Sequence, residues 1–226
     1  MAADRPEHLA TAHLEWDRRW RAPEQQASRW QTPEPFVLAL VPLFKARGYR
    51  RVLDLGCGIG RHAQHLAAEG FSSVGIDASE AGLAYAQERA AEAGLSIDYR
   101  SGPFYSVPFA AASFDVVIAW NVIYHGDGEL AQQAIDEIRR VLAPGGVYIG
   151  SMLSKRNVHY GRGREVRPDT FVVDDATGDE RHPHFYCDGA RLIELHRGLE
   201  VLELRDREQA PGAWHWEFSF ERVRDG

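Results

Sequence analysis

Arg50-Arg-Val-Leu-Asp-Leu-Gly-Cys-Gly-Ile-Gly60 is the stretch on which the reading of this chain turns. Val52, Leu53 and Leu55 form a short apolar run that suits a buried parallel strand. Asp54 interrupts that run, and Gly56, Gly58 and Gly60 then lead into a helix-like segment, Arg61–Glu69. Glycine permits a tight turn and lets a ligand approach the backbone. The start of the helix adds N–H groups without intrahelical partners. The dinucleotide fingerprint is G-x-G-x-x-G; here the order is Gly-Cys-Gly-Ile-Gly, with an acid two residues before the first glycine. A pyrophosphate on a helix N-terminus would gain from a neutral or basic strand end. Asp54 suits a ligand carrying positive charge, such as an ammonium or a sulfonium. A glycine-rich turn without a ligand is the competing reading at this point.

Phe71–Ile76 reads as a second strand, ending at Asp77. An acid about 20 residues beyond the glycine loop, at the tip of the neighbouring strand, is placed to accept hydrogen bonds from ribose hydroxyls. With these residues in view, the chain resembles the class I S-adenosylmethionine (SAM)-dependent methyltransferases. Val52–Gly60 matches their first motif and Gly75-Ile-Asp77 their acidic second-strand motif. The resemblance runs over roughly residues 33–223. It implies an α/β fold: a Rossmann-like, seven-stranded, mostly parallel sheet with helices on both faces and a C-terminal antiparallel β-hairpin.

The composition is compatible with this. A chain of 226 residues with 44% hydrophobic side chains can bury a sizeable core, which excludes global disorder. Net charge is −7, which argues against a general polyanion binder. No apolar run reaches membrane-spanning length, and no signal-peptide core follows Met1, so a cytoplasmic protein is expected. Cys57 and Cys187 lie far apart, one of them in the glycine loop, so no disulfide is expected.

Residues 1–32 are polar with three tryptophans. Trp16 and Trp20 stand one turn apart on a helix face that Leu9 and His13 extend. This segment reads as a lid over the cofactor or as an anchor on the domain edge, and residues 33–226 as the methyltransferase domain. Thr32 is a candidate cap and Pro33 suits a first helical turn, which leads into an apolar helix over Phe36–Ala46. Ser79 and Asp127 are N-cap candidates for two further helices. The first of these places Leu83, Ala86, Ala90 and Ala93 on one face. The second carries the stripe Leu130, Ala134, Ile138 and Val141. Leu95–Tyr99 is expected as a third strand, Ser113–Asn121 as a fourth and Val147–Met152 as a fifth. Ala143-Pro-Gly-Gly146 matches a structural turn of the family. Asp188–Arg197 reads as a helix, and Leu199–Arg205 with Trp214–Val223 as the closing strand pair.

The resemblance assigns Asp54, Gly56, Cys57, Gly58, Gly60, Asp77, Ala78, Phe104, Asn121 and Trp20 to the cofactor. It departs from the family at Gly102-Pro103, since many relatives carry an acid where Pro103 stands. Phe104 then supplies a backbone N–H and a ring to adenine. Tyr124 and His125, at the carboxyl end of strand four, are the candidate catalytic pair. Residues 154–187 are read as a substrate lid, with Trp30, Tyr160, Arg164, His182, His184 and Tyr186 as candidate substrate contacts. No metal is expected, because His182-Pro-His184 followed by Cys187 fits no standard zinc spacing.

The chemistry implied is an in-line displacement from SAM to an N, O or S atom of a small-molecule acceptor. Proximity and orientation dominate such a reaction, and a base is needed only for a protonated nucleophile. Among stand-alone members the chain looks most like the tellurite-resistance-like methyltransferases, on its tryptophan helix, its Asn121-Val-Ile-Tyr-His-Gly126 run and its size. No nucleic-acid or membrane partner is expected, and a monomer or homodimer is. A SAM-binding sensor and an NAD-dependent oxidoreductase are the other readings; the glycine spacing and the late hairpin disfavour the second.

Overall fold

A computed structural model describes residues 11–21, 29–174 and 181–223. Leu9 therefore lies outside the described residues. The glycine-loop strand is β1 (Arg51–Leu55), followed by helix α3 (Arg61–Ala68), after α1 (Ala12–Trp20) and α2 (Pro35–Ala46). β2 (Ser72–Asp77), α4 (Glu80–Glu92), β3 (Asp98–Ser101), β4 (Phe114–Ala119), α5 (Gly128–Val141) and β5 (Leu142–Ser154) complete the parallel half. A small excursion, β6 (Arg164–Arg167), β7 (Thr170–Val172) and β8 (His184–Cys187), precedes α6 (Gly189–Leu195) and the hairpin β9 (Glu200–Ala210) and β10 (Ala213–Glu221).

Seven strands run β3-β2-β1-β4-β5-β10-β9, parallel up to β5 and antiparallel thereafter, as the resemblance implies. The excursion adds three more. β8 pairs in parallel with the last two residues of β5, and β7 and β6 follow it outward. The sheet separates two cores by strict alternation. Val117 and Ala119 of β4 face α5, while Val116 and Ile118 face α2 and α3. Val116, Val117 and Ile118 are fully buried, each contributing about 1.5–3 kcal/mol by the usual transfer scale. α5 packs Ala134, Ile138 and Val141 of its stripe into the first core, and Leu130 is buried as well.

Ser79 and Asp127 cap their helices, accepting from Gly82 N–H (3.0 Å) and Leu130 N–H (2.8 Å). Local expectations fail in a few places for identifiable reasons. Glu34, not Thr32, is the N-cap residue of α2, with Pro35 first in the helix; Thr32 instead offers its carbonyl to Arg61. β3 starts three residues late, because Leu95 N–H folds back onto Ala90 C=O (2.8 Å) to close α4. Ala93 sits in that closing turn and is exposed. β5 starts at Leu142, which already pairs with Phe114, so the expected turn is part of the strand. Both cysteines are free and buried. Among the described residues, no helix is long and apolar enough to cross a membrane.

Candidate functional site

The carboxyl ends of β1, β2 and β4 converge on one cleft. At β1 the chain turns through Gly56 (φ +69°), and both Gly56 and Cys57 N–H donate to Ile76 C=O of β2 (2.7 and 2.9 Å). A Cβ on Gly56 would run into the Val122 side chain, so the loop after β4 can approach only because this residue is glycine. Asp77, at the tip of β2, accepts from Gly58 N–H (2.7 Å) and Ser79 N–H (2.8 Å). Burial pushes its carboxyl up, against the opposing pull of the Ser79, Gly58 and Ala78 amides. Burial, reinforced by Asp77 and Asp54, raises the Cys57 thiol well above its ordinary value, so it stays a thiol.

A cavity of about 410 Å³ opens here, within the range of roughly 300–1,000 Å³ typical of small-molecule sites. Gly56, Cys57, Gly58, Asp77 and Ala78 form its floor. Pro103 and Phe104 form one wall, Asn121 and His125 another, and Trp20 of α1 its roof. α1 also contributes His13 and Trp16 to the roof. Asp17 latches the helix in place, accepting from Ser79 Oγ (3.0 Å) and Ala81 N–H (2.9 Å) at the start of α4. Burial alone would raise Asp17, but these bonds and Arg21 hold it below the usual carboxylate range. The helix that roofs this cavity is thus also tied to the start of α4.

Two expected cofactor residues stand outside this cavity. Period-two alternation along β1 turns Leu53 and Leu55 to one core and Asp54 to the other face, under α3. There Asp54 is 2% exposed and accepts from Ala63 N–H (3.1 Å), bracing the helix. Gly60 (φ +76°) is the N-cap residue of α3, packed against Tyr99.

Asn121 holds a left-handed backbone (φ +58°), a conformation that Asn tolerates better than most residues. Ser151 Oγ fixes it from both sides, accepting its backbone N–H (2.8 Å) and donating to its Oδ1 (2.9 Å). Nothing in the sequence of β5 marks Ser151 for this task. Strain confined by neighbours is a recurrent property of functional loops. The loop after Asn121 carries Tyr124 and His125, both buried.

A second cavity, of about 620 Å³, lies against the first; Trp16, Trp30, Arg61 and Asn121 line both. His125 faces the first cavity, and Tyr124, His184 and Tyr186 face the second. The Arg19 and Arg61 guanidinium groups lie over the Trp16 and Trp30 rings at 4.9 and 5.5 Å. On the far wall Glu217, 3% exposed, receives Gln209 Nε2–H (3.1 Å) and faces Arg207 at 3.8 Å; its Oε2 makes no hydrogen bond. Glu217 was not singled out from sequence, since one acid among four aromatics reads as the polar face of a strand.

Two expected substrate contacts lie elsewhere. Tyr160 donates its hydroxyl to Asp169 (2.8 Å) and packs against Phe171 and Tyr186, behind the wall of the second cavity and lining neither. Arg164 is exposed on β6 and pairs with Asp174 at 3.1 Å. His182 lines neither cavity but stands behind His125, with Nε2 3.1 Å from His125 Nδ1.

A methyltransferase-domain family profile matches residues 52–146. The chain is 34% identical over 174 residues to a ubiquinone biosynthesis O-methyltransferase of Ruegeria pomeroyi, covering 75% of this chain and 67% of that protein. It is 37% identical over 106 residues to the enzyme so named in Azorhizobium caulinodans, covering 46% of this chain and 41% of that protein. The chain thus spans less than half the length of several curated relatives that it matches. Among solved structures, the Burkholderia thailandensis 1,6-didemethyltoxoflavin-N1-methyltransferase superposes with a TM-score of 0.73 at 16% identity, over 96% of this chain and 89% of that one.

Proposed function

The chain belongs to the class I SAM-dependent methyltransferases, and we propose that it methylates an N, O or S atom of a small aromatic or heteroaromatic acceptor held in the second cavity. The observation that carries this reading is the shared wall. Trp16, Trp30, Arg61 and Asn121 border both cavities, so a ligand in each would meet at that wall.

The first cavity fits the cofactor. Asp77 offers a half-buried carboxylate at a strand tip, Gly58 leaves the floor open, and Pro103 and Phe104 give an apolar wall for adenine in place of the missing acid. SAM, when bound, supplies a methyl group already activated by its sulfonium. What this chain contributes is placement and dryness. Trp16, Trp20 and Trp30 pack edge to face or tilted at 5.3–6.3 Å and cover the cleft from solvent. Excluding water and fixing two reactants is worth several kcal/mol in such displacements. His125 borders the cofactor cavity with its Nε2–H given to Asn121 C=O at 3.2 Å, so it holds the loop after β4 in position. Aromatic and ionic groups line the acceptor side together: Phe36, Tyr124 and Tyr186 with Arg207 and Glu217. That mixture suits a flat molecule with polar substituents. The relatives named for ubiquinone biosynthesis are O-methyltransferases, which favours oxygen as the first atom to test.

The test is label transfer. Protein incubated with methyl-labelled SAM and a panel of hydroxyaromatics, thiols and heteroaromatic amines should label at least one acceptor, and Glu217→Gln should change which one. SAM binding without transfer to any member would leave the protein as a SAM sensor and remove this reading.

A further inference from the structure

The spacing of His182 and His184 alone suggests no metal site. The fold supplies a third histidine from elsewhere. β8 returns beside the loop after β4, bound to it by Phe185 N–H to Tyr124 C=O and Gly126 N–H to Pro183 C=O, both 2.9 Å. This pairing sets His125 directly across from His184. His125, His182 and His184 are each 4–6% exposed, and one ring nitrogen from each lies within 4.8 Å of the others.

We propose that these three histidines form a binding site for a divalent transition ion of the zinc class, set between the two cavities. Tautomers fixed by the backbone argue for it. A carbonyl oxygen only accepts, so His125 Nε2, 3.2 Å from Asn121 C=O, carries the proton, and its Nδ1 keeps a lone pair. In the same way His184 Nδ1, 2.9 Å from His182 C=O, carries the proton, and its Nε2 keeps a lone pair. A backbone carbonyl holding the outer N–H of a ligating imidazole is the usual outer support of metal-bound histidine. Without an ion His182 Nε2–H donates to His125 Nδ1 at 3.1 Å, and an ion would take the place of that proton, which is released to solvent on binding. Two imidazole nitrogens on one tetrahedral ion at the usual bond length stand about 3.4 Å apart, so this pair is within a few tenths of an ångström of a ligating geometry. Three neutral nitrogens suit zinc, cobalt, nickel or copper, and not magnesium or calcium, which take oxygen. Three protein ligands leave a position for a small molecule, as catalytic sites do.

The placement gives the ion a use that rests on the proposed methyltransferase reading. His125 lines the cofactor cavity and His184 the acceptor cavity. An acceptor hydroxyl or thiol that ligates the ion loses its proton to solvent, and the anion is the nucleophile. Its new bond to the methyl carbon forms as the sulfur–carbon bond of the donor breaks, which leaves a neutral thioether. Tyr124, whose ring lies 4.6 Å from His125 and 6.0 Å from His184, closes the site on the acceptor side.

Tag-free protein stripped by chelator is titrated with cobalt(II), followed by visible absorption, and with zinc(II), followed by calorimetry and metal analysis. One ion per chain is expected, with the absorption of a low-coordinate cobalt–imidazole site. His182→Ala and the milder His184→Gln should each weaken uptake at least tenfold while circular dichroism is unchanged. No stoichiometric uptake by the wild-type protein, or uptake untouched by both replacements, overturns the proposal. S-adenosylhomocysteine is titrated into the same samples. Binding of that ligand without metal uptake rejects the ion alone, whereas its failure to bind rejects the methyltransferase reading whatever the metal result.

Discussion

At Asp77 both carboxylate oxygens already accept backbone amides, from Gly58 at 2.7 Å and Ser79 at 2.8 Å. Each keeps a further lone pair for a ribose hydroxyl. Asp77→Ala should weaken SAM binding by about 1.5–3 kcal/mol, the loss expected for a hydrogen bond to a charged group. Direct titration measures this, and unchanged affinity would place the ribose elsewhere. The pH dependence has a fixed sign. Burial raises the free-state carboxyl, whereas hydroxyl donors favour its charged form, so affinity should fall as pH drops through that raised value. Asp77 was legible in the sequence because one acid at one strand tip has few other reasons to be there. Asp54 was not, because a motif match ignores which face of β1 a residue occupies; alternation with Leu53 and Leu55 turns it under α3.

Among the elements, α1 is the one whose removal the account makes most consequential. Asp17 satisfies the hydroxyl of the α4 cap residue and a first-turn amide, and its helix carries His13, Trp16 and Trp20 over the first cavity. Asp17→Ala should cost about 1 kcal/mol through this lost cap-like bond. It should also raise protease cleavage around α1 and lower SAM affinity severalfold. Cleavage and affinity unchanged together would show that the aromatic contacts alone hold the roof. The tryptophan spacing announced this helix, but Asp17 was invisible, since its partners lie more than sixty positions away. The excursion between β5 and α6 was legible as an insertion and not as a structure. Which of its side chains turn inward depends on β8 pairing with the end of β5, and that register brings His184 and Tyr186 to the second cavity and His182 behind His125, while Arg164 stays at the surface.

Across the whole molecule the parallel sheet was readable because β1, β2 and β4 are largely apolar runs closed by a glycine, an acid or an asparagine, whereas the polar β3, Asp98-Tyr-Arg-Ser101, gave no such signal for its bounds. The chemistry of the core behind α6 was not readable. His196 is 1% exposed, stacked on Phe220 at 4.2 Å, with Nδ1 donating to Leu192 C=O (2.7 Å). Burial pushes its pKa down from 6.5 to about 4. The unfolded chain therefore takes up a proton near pH 6.5 that the folded chain refuses until about 4. This contribution to stability is complete above pH 6.5 and is lost as pH falls through that window, by about 3 kcal/mol at 1.36 kcal/mol per unit. Chemical denaturation of wild-type and His196→Phe proteins across the window measures it. The variant should lose less stability on acidification, and parallel curves would reject the assignment.

The central claim is that the cavity between Gly56, Asp77 and Asn121 holds SAM, and the most direct test is calorimetric titration of the intact protein with SAM and, separately, with S-adenosylhomocysteine. The account predicts one site per chain for both, with micromolar dissociation constants. Absence of binding by either ligand would contradict it, and the glycine loop, the strand-tip carboxylate and the tryptophan roof would then be parts of the fold alone.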